Sequence, residues 1–456
     1  MAVIQIDKDL CTGCLECTKV CPTFAIEGDE GQAQTIVEER CVMCGQCVQK
    51  CKSYVSIIDH GKEAYDKKRA ERLLPDTVQE PLFAAHNVSH IKELIDALSD
   101  PNKFTLVQSA PAVRVGIAED FGLPLGSLAA GKMAAALRRI GFNKVYDTNF
   151  SADLTIMEEG TELVERVTKG GVLPMFTSCC PAWVRYLENT APELTKHLST
   201  CKSPQQMLGP VFKTYAAKLD KVDTKKIYSV SVMPCTCKTF EAARPEMNAS
   251  GQQDVDVVIT TRELAYLIKY KGIDLATLPE EEFDLPLGEY TGAGAIFGVT
   301  GGVMEAALRT GYNLITKEEL GEKDLDFKAV RGSETFRKAE ITIGDLVLKV
   351  GVVTNLKSIE PIIEQLKAGT LDCHFVEVMT CPEGCITGGG QPKLLSDVDR
   401  QDANDARRVA IYEHDLKLPK RKSHESAAIK KIYAEFLEKP NSHKAHELLH
   451  THYKSV

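Results

Sequence analysis

The chain has 456 residues, 43% of them hydrophobic, with a formal net charge of −9 and acids and bases interspersed, enough material for roughly two to four domains with buried cores. That balance excludes a nucleic-acid footprint and a polybasic membrane patch. No run approaches the ~18 apolar residues of a spanning helix, and MAVIQIDKDLC lacks a charged leader followed by an apolar core, so a cytoplasmic chain with no nucleic acid or membrane partner is expected. In such a reducing compartment sixteen cysteines point to metal ligation, catalysis or burial rather than to disulfides.

Eight of the cysteines lie between residues 11 and 51 and eight between 179 and 385, so two functional regions are implied. The first region, residues 1–60, contains CTGCLECTKVCP, with Cys11, Cys14, Cys17 and Cys21, and CVMCGQCVQKC, with Cys41, Cys44, Cys47 and Cys51. Both read CxxCxxCxxxC. Zinc ribbons share the CxxC element, but two complete runs are the bacterial ferredoxin pattern, in which three thiolates hold one 4Fe-4S cubane and the fourth holds the other. Cys51 then joins Cys11, Cys14 and Cys17, while Cys21 joins Cys41, Cys44 and Cys47, in a small α+β ferredoxin-like domain.

Residues 61–102 start polar and basic and continue into the amphipathic IKELIDAL, which reads as a helical linker. From residue 103 to about 400, FTLVQSA, KVYDT, VLPMFTS, KIYSVSVMP, VDVVITT and FVEVMT look like buried strands. They alternate with the helical patterns SLAAGKMAAALRRI, ADLTIMEEGTELVERV and GGVMEAALRT. This predicts α/β architecture with largely parallel sheets flanked by helices, and several cysteines fall just past strand ends, where such sheets place their sites. Residues 401–456 are helical and basic, with apolar positions that suit a tail wrapped on the main body.

Within the second region FTSCCPAW places Cys179 beside Cys180, and neighbouring side chains diverge, so the pair suits neither a disulfide nor one tetrahedral site. Together with ADLTIMEEGTEL, VMPCTCKTFEA, EVMTCPEGCITGGGQP and the terminal HTHY, this segment resembles the FeFe hydrogenases over essentially the whole chain. The resemblance implies a two-lobed catalytic domain in which Cys180, Cys235, Cys381 and Cys385 hold a 4Fe-4S cubane. Cys385 would bridge it to a two-iron subcluster carrying CO, CN and azadithiolate, the whole forming the H-cluster. Maturation enzymes would supply the diiron unit.

The same resemblance assigns Lys238 to an iron-bound cyanide with Glu241 orienting it, Met233, Pro234 and Met379 to packing around the diiron unit, and Ala110 and Pro111 to a second cyanide. Ser203 and Gln205 match site-lining positions, although a turn before a helix accounts for them too. A relay of Cys179, Glu159, Ser199, Glu162 and Arg166 is implied. The spacings of three and four within EEGTELVER put Glu159, Glu162 and Arg166 on one helical face. Cys201, Cys237 and Cys373 have no place in this scheme, and Ala182 and Glu383 stand where the family commonly has glycine.

The resemblance thus predicts reversible reduction of protons to dihydrogen by a monomer, with electrons arriving from a soluble ferredoxin or flavodoxin. The basic run Lys67, Lys68, Arg69 and Arg72 is a docking candidate. Rival expectations are an iron–sulfur assembly protein lacking the diiron unit and a sensory hydrogenase.

Overall fold

A computed structural model describes residues 3–76 and 78–453. Two four-stranded sheets organise the larger part. The first orders Val257–Thr260, Ile227–Met233, Phe104–Ser109 and Lys144–Asp147, all parallel. Every residue of Ile227–Met233 is buried, which is why that strand reads as an apolar run rather than an alternation.

The second sheet orders Phe336–Ile343, Leu346–Thr354, Phe375–Met379 and Met175–Phe176. Its first pair is an antiparallel hairpin and the remaining pairings are parallel. All six expected strands are present, and the hairpin is an addition to them. It turns at Gly344-Asp345, where Gly344 takes φ +59, as a two-residue hairpin loop requires of its first position.

The helix expected within 152–167 runs from Thr148 to Lys169, with the Asp147 side chain accepting from Asn149 N at its start. Around residues 61–102 the structure holds helices Lys62–Glu71 and Ile91–Ser99. Between them lie two short strands: Leu82–Phe83 pairs with Tyr54–Val55, and Ala85–Asn87 pairs with Ile4–Ile6. The expected helical linker therefore also contributes strands to the N-terminal region.

The basic run within it is largely consumed by folding. Lys68 is buried against Asp7, Asp9 and Glu71, Arg69 pairs with Asp66 and Asp76, and Arg72 binds Asp7 and the Phe83 carbonyl. Only Lys67 of the four is exposed, so the run is not a free cationic patch for docking.

The tail packs on the body through helices Asp397–Lys417, Ala427–Ile432 and His443–Leu449. Its main anchor is Asp415, fully buried, which accepts from Arg309 Nη1 (2.9 Å) and Nη2 (2.8 Å) and from Arg421 Nη2 (2.7 Å). A Cβ at Gly292 would lie 1.8 Å from Asp415 Oδ1, so glycine there is what lets the tail helix seat. Asp415→Ala would leave two buried guanidinium groups short of a counter-charge. It is expected to cost about 3–5 kcal/mol, measured as a lowered unfolding midpoint.

Candidate functional site

The strands Phe104–Ser109, Met175–Phe176, Ile227–Met233 and Phe375–Met379 each hand the chain to a loop at their carboxyl ends. Those loops carry Ala110 and Pro111, Cys179 and Cys180, Pro234 and Cys235, and Thr380 and Cys381, and they meet around one largely apolar cavity. Cys385, Met233, Met379, Gln205 and Lys238 complete much of its wall, with Phe297 and Gly298 from the glycine-rich GAIFGVTGG. Two sheets thus deliver one cysteine cluster that no single local motif could assemble.

The thiols of this cluster are crowded in an apolar place. Burial pushes Cys235 up to about 11 and Cys385 up to about 12, with neighbouring cysteines adding to the effect; Cys381 is raised well above its ordinary value for the same reasons. Four soft donors held so close and desolvated fit an iron–sulfur cube, whose cations favour the thiolate form that burial alone opposes.

In the N-terminal region Cys17 lies within electrostatic reach of Cys11, Cys51 and Cys14, while Cys47 lies within reach of Cys44, Cys41 and Cys21 and then of Cys17. Backbone amides point at several sulfurs, as in Ala25 N to Cys21 (3.2 Å) and Ala85 N to Cys51 (3.3 Å), contacts that tune cluster potential.

Glycines bring the two regions together backbone to backbone. A Cβ on Gly389 would lie 2.5 Å from the Cys44 carbonyl oxygen, and Gly45, at φ +72, faces Gly389 in return. Thr236 Oγ1 donates to the Met43 carbonyl (2.7 Å) and Gln49 Nε2 to the Gln391 carbonyl (2.8 Å). The glycines of ITGGGQP therefore serve backbone-to-backbone approach between cysteine loops. Gly389→Ala is expected to cost about 1–3 kcal/mol through overpacking. The loss should read as a lowered unfolding midpoint.

Lys238 and Glu241 lie on the short helix Cys237–Ala242 and form a buried pair (2.8 Å), not the solvated one that i,i+3 spacing alone would suggest. Lys238 Nζ also donates to the Cys179 carbonyl (3.0 Å). Burial would lower the Lys238 pKa, but Glu241 and the adjacent thiols hold it above its ordinary value. Ser203 does not line the cavity: it caps the helix Pro204–Val211 and donates to Glu241 Oε2 (2.9 Å). Gln205 reaches both, with Nε2 on Glu241 and a buried Oε1 that has no partner among the described residues.

A polar file runs along the outer part of helix Thr148–Lys169. Ser199 Oγ donates to Glu162 Oε2 (2.9 Å), Arg166 Nη2 donates to Glu162 Oε1 (2.6 Å), and Arg166 is half-buried at the outer end. Glu159 has both carboxylate oxygens buried, with the Ser199 hydroxyl as a polar neighbour. Burial, then the Glu162 charge, pushes it up to about 8. Cys179 is raised well above its ordinary value by burial and then by Glu159.

The region matched by the iron only hydrogenase large subunit, C-terminal domain, is residues 103–389. The chain belongs to the iron-only, or FeFe, hydrogenase family. A 4Fe-4S dicluster domain matches residues 3–52 and an iron hydrogenase small subunit matches 401–456. This hydrogenase is 46% identical over 91% of its length to the NADP-reducing hydrogenase subunit HndD of Solidesulfovibrio fructosivorans, covering 73% of that protein. It is 43% identical over 89% of its length to the periplasmic Fe hydrogenase large subunit of Nitratidesulfovibrio vulgaris, covering 90% of it. A solved variant of apo FeFe hydrogenase HydA1 from Chlamydomonas reinhardtii superposes with TM-score 0.70 at 41% identity, over 80% of this chain and 99% of that one. The protein is an oxidoreductase acting on dihydrogen, with two N-terminal 4Fe-4S clusters and an H-cluster as cofactors. Among the described residues no helix is long and apolar enough to cross a membrane.

Some functional neighbours were not legible in the sequence. Glu377 lies on the strand Phe375–Met379 and accepts from Gly301 N (2.7 Å) and Met304 N (2.8 Å), neutralising the start of helix Gly302–Thr316. Burial still pushes it up to about 7. Cys201 lies beside Glu162, with its sulfur 3.9 Å from Oε2. Glu383 adopts φ +62, the conformation for which glycine is usual, at a cost of roughly 1–2 kcal/mol. Its carboxylate turns away to Arg408 of the tail, so its charge is compensated.

Proposed function

We propose that this hydrogenase works in the cytoplasm as a monomer, reversibly reducing protons with electrons from a soluble ferredoxin or flavodoxin. Cys11, Cys14, Cys17 and Cys51 would hold one cubane and Cys21, Cys41, Cys44 and Cys47 another, each supplying a one-electron carrier, and Gly45 and Gly389 bring the second of these loops close to the one bearing Cys381 and Cys385, which with Cys180 and Cys235 would hold the cubane of the H-cluster. When bound, the H-cluster supplies the redox-active iron at which protons and dihydrogen interconvert. Maturation enzymes are needed to install its diiron part.

The residues around it divide the remaining work. Met233, Met379, Pro111 and Phe297 exclude water from the cavity, while Lys238, fixed by Glu241, presents its ammonium group and holds the Cys179 carbonyl. Ala110 brings its backbone to the cavity wall. Cys179 takes and gives the proton at its Sγ, and Glu159, Ser199, Glu162 and Arg166 carry it to the edge. The observation that supports this reading is the hydrogen-bonded file Ser199–Glu162–Arg166, together with Glu159 lying near enough to the cavity-lining Cys179 to raise its thiol. Retention of that file and of Lys238 argues against an assembly protein, which would need neither.

A second reading concerns the electron donor. The relative named as an NADP-reducing hydrogenase subunit favours delivery through a partner subunit. Matured protein supplied with dithionite-reduced ferredoxin or flavodoxin should evolve dihydrogen, detected by gas chromatography. Failure with every soluble carrier, alongside activity with a small viologen dye, would show that a subunit is missing.

A further inference from the structure

At the outer turn of the proton file the structure gathers a second set of ligand-type side chains. Glu162, Cys201 and His450 each offer an atom, and these atoms all lie within 4.8 Å of one another. Cys201 Sγ is 3.9 Å from both Glu162 Oε2 and His450 Nδ1. Cys201 and His450 are buried and Glu162 is nearly so.

The histidine is already set for ligation. Its Nε2 lies 3.1 Å from Glu158 Oε2, and Glu158 is itself fixed by Tyr433 and by Asn441 N (2.8 Å). A carboxylate facing Nε2 stabilises the tautomer with its proton there and leaves the Nδ1 lone pair on the side of Cys201, the carboxylate–histidine–metal arrangement of zinc sites. Thr200 Oγ1 occupies that lone pair at 2.8 Å and can rotate away. His446, exposed, lies against His450 with ring centroids 4.1 Å apart and the planes tilted by 38°, so the site lies one residue in from solvent.

We infer that Glu162, Cys201 and His450 form a binding site for a thiophilic divalent cation of the zinc and cadmium class, and that occupancy blocks proton passage at Glu162. One sulfur, one imidazole nitrogen and one carboxylate oxygen are a three-ligand zinc set that leaves a fourth position for water. Binding forms the metal–sulfur bond as the Cys201 proton leaves to solvent, with no change of oxidation state. The bound ion takes Glu162 Oε2, the oxygen that otherwise accepts from Ser199 Oγ and Thr200 N. This blocking effect rests on the relay proposed above, whereas the site itself does not.

The test uses the cluster-loaded protein. Equilibrium dialysis against Zn²⁺, with metals counted by mass spectrometry, should find one tightly held zinc per chain and unchanged iron. Its zinc-edge X-ray absorption should show one sulfur at about 2.3 Å with nitrogen and oxygen at about 2.0–2.2 Å. Cys201→Ala and His450→Gln should each lose that ion, and Glu158→Gln should weaken it about 10–100-fold, with iron content and visible absorption confirming that each variant folds. Zinc should inhibit wild-type turnover and spare the variants, each compared with its own zinc-free rate. Zinc uptake without a sulfur ligand, or uptake equal in wild type and all three variants, overturns the site. Uptake as described without inhibition keeps the site and overturns the relay through Glu162.

Discussion

Cys179→Ala is expected to lower dihydrogen evolution by about 10²–10⁴-fold, the range that a positioned proton-transfer group contributes, while iron content and cluster absorption stay as in wild type. The separation of effects follows from how Cys179 is held. Its carbonyl, not its side chain, accepts from Lys238, so the loop that presents Cys180 keeps its anchor. The side chain lines the cavity, and burial together with the nearby Glu159 keeps it a neutral thiol. It can therefore hold a proton without leaving a charge in an apolar pocket. Alanine removes that capacity and little else. Full turnover in the variant, measured by gas chromatography with reduced carrier, would sink the assignment.

Much of this was legible because it was periodic or densely spaced. The apolar runs around Val107, Val230 and Val378 announced strands buried on both faces, and the CxxCxxCxxxC runs announced their chemistry. The hairpin Phe336–Thr354 escaped because its first strand alternates between buried and exposed positions with charges among them, a weaker signal than a continuous run, and its turn rests on one glycine. The basic run at Lys68 misled for a different reason: the carboxylates that neutralise it include Asp7 and Asp9, about sixty positions away in the chain. Cys201 was mute for the same reason, since His450 lies 249 residues further on. Side-chain pairing across such separations is a property of the folded chain. Even Glu383, a clear departure from glycine, acquires its meaning only when Arg408 of the tail arrives beside it.

Glu159 gives the second large effect, and it opposes activity to stability. An ordinary glutamate titrates near 4.5, whereas burial and then the Glu162 charge push Glu159 up to about 8. Below about 4.5 both folded and unfolded chains carry the proton and Glu159 costs nothing; between 4.5 and 8 only the folded chain keeps it. The unfolded state then binds fewer protons, so this group makes stability fall as pH rises through that window and holds it at its lowest above. Glu159→Gln abolishes the titration. The variant should match wild type in thermal midpoint near the acid end of the window and exceed it above pH 8, where wild type must bury a charge. Its turnover should be at least about 10²-fold lower, because an amide cannot both accept and release the proton. In wild type the rate of proton reduction should fall as pH rises through about 8, since Glu159 then stays ionised. A Glu159→Gln enzyme that keeps both its rate and the alkaline decline would remove Glu159 from the proton route, whatever its midpoint did.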